Sequence, residues 1–143
     1  MRNPPSLAGL GRASALHPGA GVVAKHILVV EDDTYLRDLQ LLVLSGAGYA
    51  ATALETATEA LHRLGEIRPH LIVLDVSLPG MDGRDFLKRL RASALWRHVP
   101  VIFSSGLPAS EIGPLRSGET EFLGKPFSDA ALLARVRSLI GEA

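Results

Sequence analysis

Four short apolar runs constrain this chain more than anything else in it: "HILVV" (His26–Val30), the weaker "YAATA" (Tyr49–Ala53), "LIVLD" (Leu71–Asp75) and "VIFS" (Val101–Ser104). Each is too short for a stable helix, and three of them are apolar at nearly every position and rich in β-branched residues. A strand that is apolar on both faces must be covered on both, which is the environment of a parallel sheet sandwiched by helices. The intervening segments supply those helices. From about Thr34 to Ser45, Tyr35, Leu36, Leu39, Leu42 and Val43 recur at helical spacing, and Gly46 and Gly48 end the run. Thr56 and Glu59 form a capping-box pattern for a second helix carrying Ala57, Ala60, Leu61 and Leu64, which stops near Gly65. A third runs from about Arg84 to Arg91 with Phe86, Leu87 and Leu90 inward; Asp82 caps it and Gly83 serves the turn before it. A fifth strand lies near Glu121–Gly124. Ser128 then caps a last helix with Leu132, Leu133, Val136, Leu139 and Ile140 as its stripe. This alternation predicts an open, doubly wound parallel α/β sheet with right-handed crossovers and helices on both faces.

One connection does not fit. After Val101–Ser104 the alternation calls for a helix, but Gly106, Pro108, Gly113, Pro114 and Gly118 stand there. Ser110 can cap a helix, and Pro114 is tolerated only near its first turn. Each interior glycine costs about 1 kcal/mol relative to alanine. The helix between the fourth and fifth strands is predicted to be short, frayed or absent.

With 143 residues and 47% of them hydrophobic, the chain suits one domain with one core. The formal net charge is zero and there is no basic stripe, which argues against direct binding of nucleic acid. Without cysteine there are no disulfides and no thiolate chemistry, a composition compatible with the cytoplasm. No apolar run is long enough to span a bilayer. Residues 1–24 differ from the rest: rich in Gly, Pro, Ala and Ser, with no acidic residue. Arg12, His17 and Pro18 interrupt what would be the apolar region of a signal peptide. Two readings stand, a disordered tail or translation upstream of the true start. The domain itself is assigned to residues 25–143.

In open parallel sheets, sites form where strands end at their carboxyl edge. Here the first strand runs into Glu31-Asp32-Asp33, the third ends in Asp75, the fourth runs into Ser104-Ser105 and the fifth into Lys125-Pro126. Asp33 is read as a helix cap. Clustered carboxylates raise one another's pKa unless a cation intervenes. A hard divalent cation such as Mg²⁺ (or Mn²⁺) suits such oxygen ligands. A phosphoryl group on Asp75 would meet the ammonium of Lys125 and the hydroxyl of Ser105. Asp75 also resists a purely structural reading, because a carboxylate directly after four buried apolar residues is costly without a partner.

The motifs "ILVVEDD", "LIVLDVSLPGMDG", "PVIFSSG" and "FLGKPF", in this order and spacing, resemble the receiver domain of two-component response regulators (CheY-like) over Lys25–Ala143. The resemblance implies a flavodoxin-like sheet of strand order 2-1-3-4-5. It implies that Asp75 accepts a phosphoryl group from a phosphohistidine of a sensor histidine kinase or phosphotransfer protein. Glu31, Asp32, Asp75 and the backbone carbonyl of Ser77 would hold the metal, with Asp32 the more direct ligand. Ser105 would be the switch hydroxyl, Lys125 the phosphate-pairing lysine and Phe122 the aromatic switch residue. Ser77 and Leu107 sit at positions that tune self-dephosphorylation, and Leu107 cannot orient a water by hydrogen bonding, so slow loss of phosphate is expected. The Lys125-Pro126 bond is often cis in this family. "FSSGL" (Phe103–Leu107) also resembles the Phe-Ala-Thr-Gly-hydrophobic motif of a mostly single-domain subfamily whose fourth helix is short or disordered, with Ser104 and Ser105 in place of Ala and Thr.

The expectation is therefore a stand-alone cytoplasmic bacterial phosphoacceptor, not an enzyme in the ordinary sense. It signals to a downstream protein partner as a monomer or weak homodimer. Two readings compete. A phosphorylation-independent adaptor would usually have lost some of the set Glu31, Asp32, Asp75, Ser105 and Lys125. An aspartate-nucleophile phosphohydrolase needs a second aspartate two residues after the first, where Ser77 stands.

Overall fold

The computed structural model describes residues 14–16, 24–111 and 119–143. Its elements are β1 (Ser14–Leu16), β2 (His26–Val30), α1 (Thr34–Gly46), β3 (Ala50–Leu54), α2 (Ala57–Ile67), β4 (Leu71–Asp75), α3 (Gly83–Ala92), β5 (Val101–Ser105), β6 (Thr120–Gly124) and α4 (Asp129–Ile140). The sheet order is β1-β3-β2-β4-β5-β6. From β3 to β6 every pairing is parallel, so the five predicted strands take the order 2-1-3-4-5.

The period of two along each strand divides the core into two layers. Leu28 and Val30 of β2 and Ile72 and Leu74 of β4 pack with Ala57, Ala60 and Leu64 of α2 and Phe86, Leu87 and Leu90 of α3. On the other face Ile27, Val29, Leu71 and Val73 pack with Leu41 and Leu44 of α1 and Leu132 and Val136 of α4. These central strands are thus buried on both faces, as their unbroken apolar runs require. Trp96 is half-buried against the first layer, a packing role.

The predicted caps form. Asp33, Thr56, Asp82 and Ser128 each accept a hydrogen bond from a backbone N–H in the first turn of α1, α2, α3 and α4. Three local expectations change. The second helix does not stop near Gly65 but runs to Ile67. Arg68 takes the left-handed conformation there (φ 52°) and its N–H bonds back to Leu64 O, so a non-glycine residue performs the termination. Residues 1–24 were read as a disordered tail or as translation upstream of the true start; residues 1–13 and 17–23 lie outside the described residues, while Ser14–Leu16 pair antiparallel with Ala51–Ala53 of β3. Without β1 the backbone of β3 would be an open edge, and the added strand satisfies it. The third change concerns Gly83. Its φ is not positive, so it serves no special turn conformation. A Cβ there would collide with Asp75 O and sit 3.0 Å from Val76 Cα, so glycine lets the start of α3 lie against the end of β4.

Between β5 and β6 the described residues contain a single 3₁₀ turn, Ala109–Glu111, where alternation would have placed a helix. This agrees with the helix-breaking composition. Residues 112–118, on which the rest of that expectation falls, lie outside the described residues.

Gly83→Ala is expected to destabilise the fold by roughly 1–3 kcal/mol, because its Cβ meets backbone that cannot rotate away. A urea denaturation midpoint unchanged from wild type would contradict that close approach.

Candidate functional site

The parallel order delivers four strand ends to one edge of the sheet. Asp75 pairs in register with Ser104, and Val76 N donates to Ser104 O at 2.9 Å, so β4 and β5 leave the sheet together. Lys125 N donates to Ser105 O at 2.8 Å, which ties the residue after β6 to the end of β5. On the other side Glu31 N donates to Leu54 O at 3.0 Å and carries the β2 ladder one residue past the strand.

The side chains of Glu31, Asp32, Asp75 and Lys125 come together at this edge. Glu31, Asp32 and Asp75 each bring a carboxylate oxygen within 4.8 Å of the other two. Lys125 Nζ lies 2.7 Å from Glu31 Oε1 and 3.3 Å from Asp75 Oδ2. Glu31 and Asp75 are buried, at 2% and 6% exposure, whereas Asp32 is exposed. Glu31 is held at both oxygens, since its Oε2 accepts from Asp33 N at 3.2 Å while Oε1 meets the lysine. Asp75 Oδ1 accepts from Ser77 N at 3.2 Å. That bond places the Ser77 backbone beside the carboxylate. The peptide bond between Lys125 and Pro126 is cis.

The electrostatics follow from burial and pairing. Burial pushes the Glu31 carboxyl above the ordinary carboxylate range; the hydrogen bond from Lys125 pulls against this, and the neighbouring charge of Asp75 adds to the rise. For Lys125, burial pulls the ammonium down, but the bond to Glu31 and the charge of Asp75 outweigh it, and the net shift is upward. Three carboxylates and one ammonium leave two formal negative charges at the edge. A donor set made of oxygen with a residual charge of two fits a hard divalent cation such as Mg²⁺.

The remaining predicted residues lie around this centre. Ser105 is buried, and its Oγ accepts from Leu107 N at 2.9 Å, which leaves its O–H as a donor. Leu107 and Phe122 are both partly buried against the first core layer. Phe122 pairs in register with Phe103 of β5, and its carbonyl accepts from Arg135 Nη1 at 2.8 Å. Sequence reasoning missed Arg37. Its Nη1 donates to Glu31 O at 3.0 Å and to Asp32 O at 3.3 Å. An arginine in the first turn of the helix after the acidic pair was the available signal, but only the fold shows its head group turning back to the loop.

Comparisons with known proteins agree with this fold. The chemotaxis protein CheY4 of Vibrio cholerae superposes with a TM-score of 0.78 at 26% identity, over 82% of this chain and all of that one. The receiver domain of a sensor histidine kinase from Pseudomonas aeruginosa, solved with a magnesium ion coordinated in its active site cleft, gives a TM-score of 0.74 at 28% identity, over 84% of this chain and all of that one. Among curated relatives, the phosphate regulon transcriptional regulatory protein PhoB of Klebsiella pneumoniae is 34% identical over 120 residues, 82% of this chain and 52% of its own length. The DNA-binding response regulator MtrA of Mycobacterium tuberculosis is 36% identical over 116 residues, 80% of this chain and 50% of its own length. The chain thus spans about half the length of these relatives. Among the described residues no helix is long and apolar enough to cross a membrane. Residues 27–137 match the family model of the response regulator receiver domain, and the chain belongs to that family of two-component signalling domains.

Proposed function

We propose that this receiver works as a phosphoacceptor, taking a phosphoryl group on Asp75 from the phosphohistidine of a sensor histidine kinase or phosphotransfer protein. The observation that carries the reading is the placement of the Asp75 carboxylate beside Glu31 and Asp32 and 3.3 Å from the Lys125 ammonium, with Ser105 on the adjoining strand end. A carboxylate oxygen of Asp75 attacks phosphorus, the phosphorus–nitrogen bond to the donor imidazole breaks, and its electron pair leaves with the ring. Lys125 offsets charge on the transferred group, and the Ser105 hydroxyl donates to one of its oxygens. Glu31, Asp32, Asp75 and the Ser77 carbonyl would hold Mg²⁺ or Mn²⁺, which supplies further charge neutralisation and orientation.

The signal is read at Ser105 and Phe122, which lie on neighbouring strands and flank the β5–β6 connection. Movement of Ser105 toward the phosphoryl group pulls on Leu107, whose N–H it holds. The 3₁₀ turn at Ala109–Glu111, together with "FSSGL", supports a likeness to the subfamily that carries the Phe-Ala-Thr-Gly-hydrophobic motif. The partner read by this surface is a protein, and the cytoplasm is the compartment where such kinases present phosphohistidine. Self-dephosphorylation is slow, because Leu107 packs against the core and offers no group to orient water.

Three measurements test the reading. Incubation with Mg²⁺ and acetyl phosphate should add one phosphate-sized mass to the intact chain, and Asp75→Asn should abolish it; an adduct that persists in the variant places the chemistry elsewhere. Leu107→Glu should shorten the lifetime of the phosphorylated chain several-fold, and unchanged phosphate-release kinetics would remove Leu107 from that role. Lys125→Met leaves two buried carboxylates without their cation, and in metal-free buffer should lower stability at pH 8 by on the order of 3 kcal/mol. The sign of its pH dependence follows from the raised pKa values. The lysine contribution in wild type is fully present below the lysine range and is lost only as pH rises through the raised value. In the variant, Glu31 loses the bond that held its pKa down, so the variant regains stability as pH falls from 8 to 5. A deficit equal at both pH values would argue against the ion pair.

A further inference from the structure

Arg37 stands beside the acidic site and has no task in the mechanism above. A cation next to three carboxylates would ordinarily turn toward their oxygens. Among the described residues its ion pair is instead with Glu55, in the β3–α2 connection, at 3.7 Å. Its side chain is 15% exposed, and its Nη1 donates to two consecutive backbone carbonyls, Glu31 O and Asp32 O.

Those two carbonyls belong to the peptide planes on either side of the Asp32 Cα. Peptide planes are rigid, so the direction in which a Cα–Cβ bond leaves the main chain is set by the two dihedrals between the planes that flank it. One donor fixing both planes therefore fixes φ and ψ of Asp32 together. The second plane is held from its other end as well, since Asp33 N donates to Glu31 Oε2. Asp32 itself is exposed, and among the described residues its carboxylate has no hydrogen bond or ion pair. The point from which it reaches toward Glu31 and Asp75 is thus held by its backbone, with no side-chain partner of its own to help.

We propose that Arg37 is a positioning residue of the cation site: by clamping the carbonyls of Glu31 and Asp32 it holds the Asp32 carboxylate within reach of Glu31 and Asp75. This rests on the reading of the acidic cluster as a divalent-cation site. It makes a prediction of unusual sign. Treated only as a positive charge, Arg37 repels a divalent cation, and its removal would tighten binding. Treated as a clamp, its removal lets the Asp32 backbone turn and weakens binding, typically by tenfold or more for partners that orient a metal ligand.

Titration of the full chain with Mn²⁺ alone, following the free-ion signal by electron paramagnetic resonance, separates the two. Arg37→Met is expected to bind Mn²⁺ about tenfold more weakly than wild type. Affinity equal to or tighter than wild type overturns the proposal while leaving the cation site standing. Absence of Mn²⁺ binding to the wild-type chain overturns the cation reading, and this inference with it. Urea transitions recorded on both proteins keep a folding defect apart from a site defect. Should Arg37→Met not fold, Arg37→Lys takes its place with the same expectation, since it keeps the charge but presents one ammonium on a shorter reach.

Discussion

The ammonium of Lys125, shared between Glu31 and Asp75, is the interaction on which the site depends. Neighbouring parallel strands β2 and β4 bring two carboxylates to the same edge, at a separation where burial and mutual repulsion oppose ionisation. Lys125 follows β6, and its side chain reaches back past β5 to both of them. The contact spans the carboxyl edge of the sheet. It also leaves the charge incomplete: one ammonium against three carboxylates keeps the edge ready for a cation or for a group that arrives with one.

That geometry rests on the two-layer core beneath it. Burial of β2 and β4 on both faces fixes their register, and a slip of one residue would exchange the two layers and turn the strand ends away from each other. The close seat of α3 at Gly83 and the clamp of Arg37 on the β2–α1 loop work in the same direction. Both act on backbone next to a carboxylate, so the positions of Asp75 and Asp32 are set by main-chain constraints before any ligand is bound.

Much of this was legible from the chain alone. The apolar runs dictated buried parallel strands; "EDD" and the aspartate after "LIVL" fell at strand ends because each directly follows such a run, and "GKP" because it follows the short fifth strand. The caps at Asp33, Thr56, Asp82 and Ser128 were readable because capping is local, within three residues. The helix-breaking residues after β5 likewise anticipated the short turn at Ala109–Glu111. The misreadings share a cause. Gly83 looked like a turn glycine and is a close-approach glycine. Gly65 looked like a helix stop, but the stop is at Arg68. β1 lay in a segment whose composition resembled a tail. In each case the deciding partner is distant in sequence or is backbone, and neither leaves a periodic mark.

The sequence by itself determined the fold class, the strand order through its family motifs, and the residue types at the carboxyl edge, because hydrophobic period and helix caps are properties of neighbours along the chain. The tertiary structure alone decided which oxygen meets which nitrogen. Lys125 lies 94 positions from Glu31. Only the packed order of the strands can place its ammonium between two carboxylates and turn Arg37 onto the carbonyls of the acidic loop, since those distances depend on register across the sheet and not on spacing within a segment.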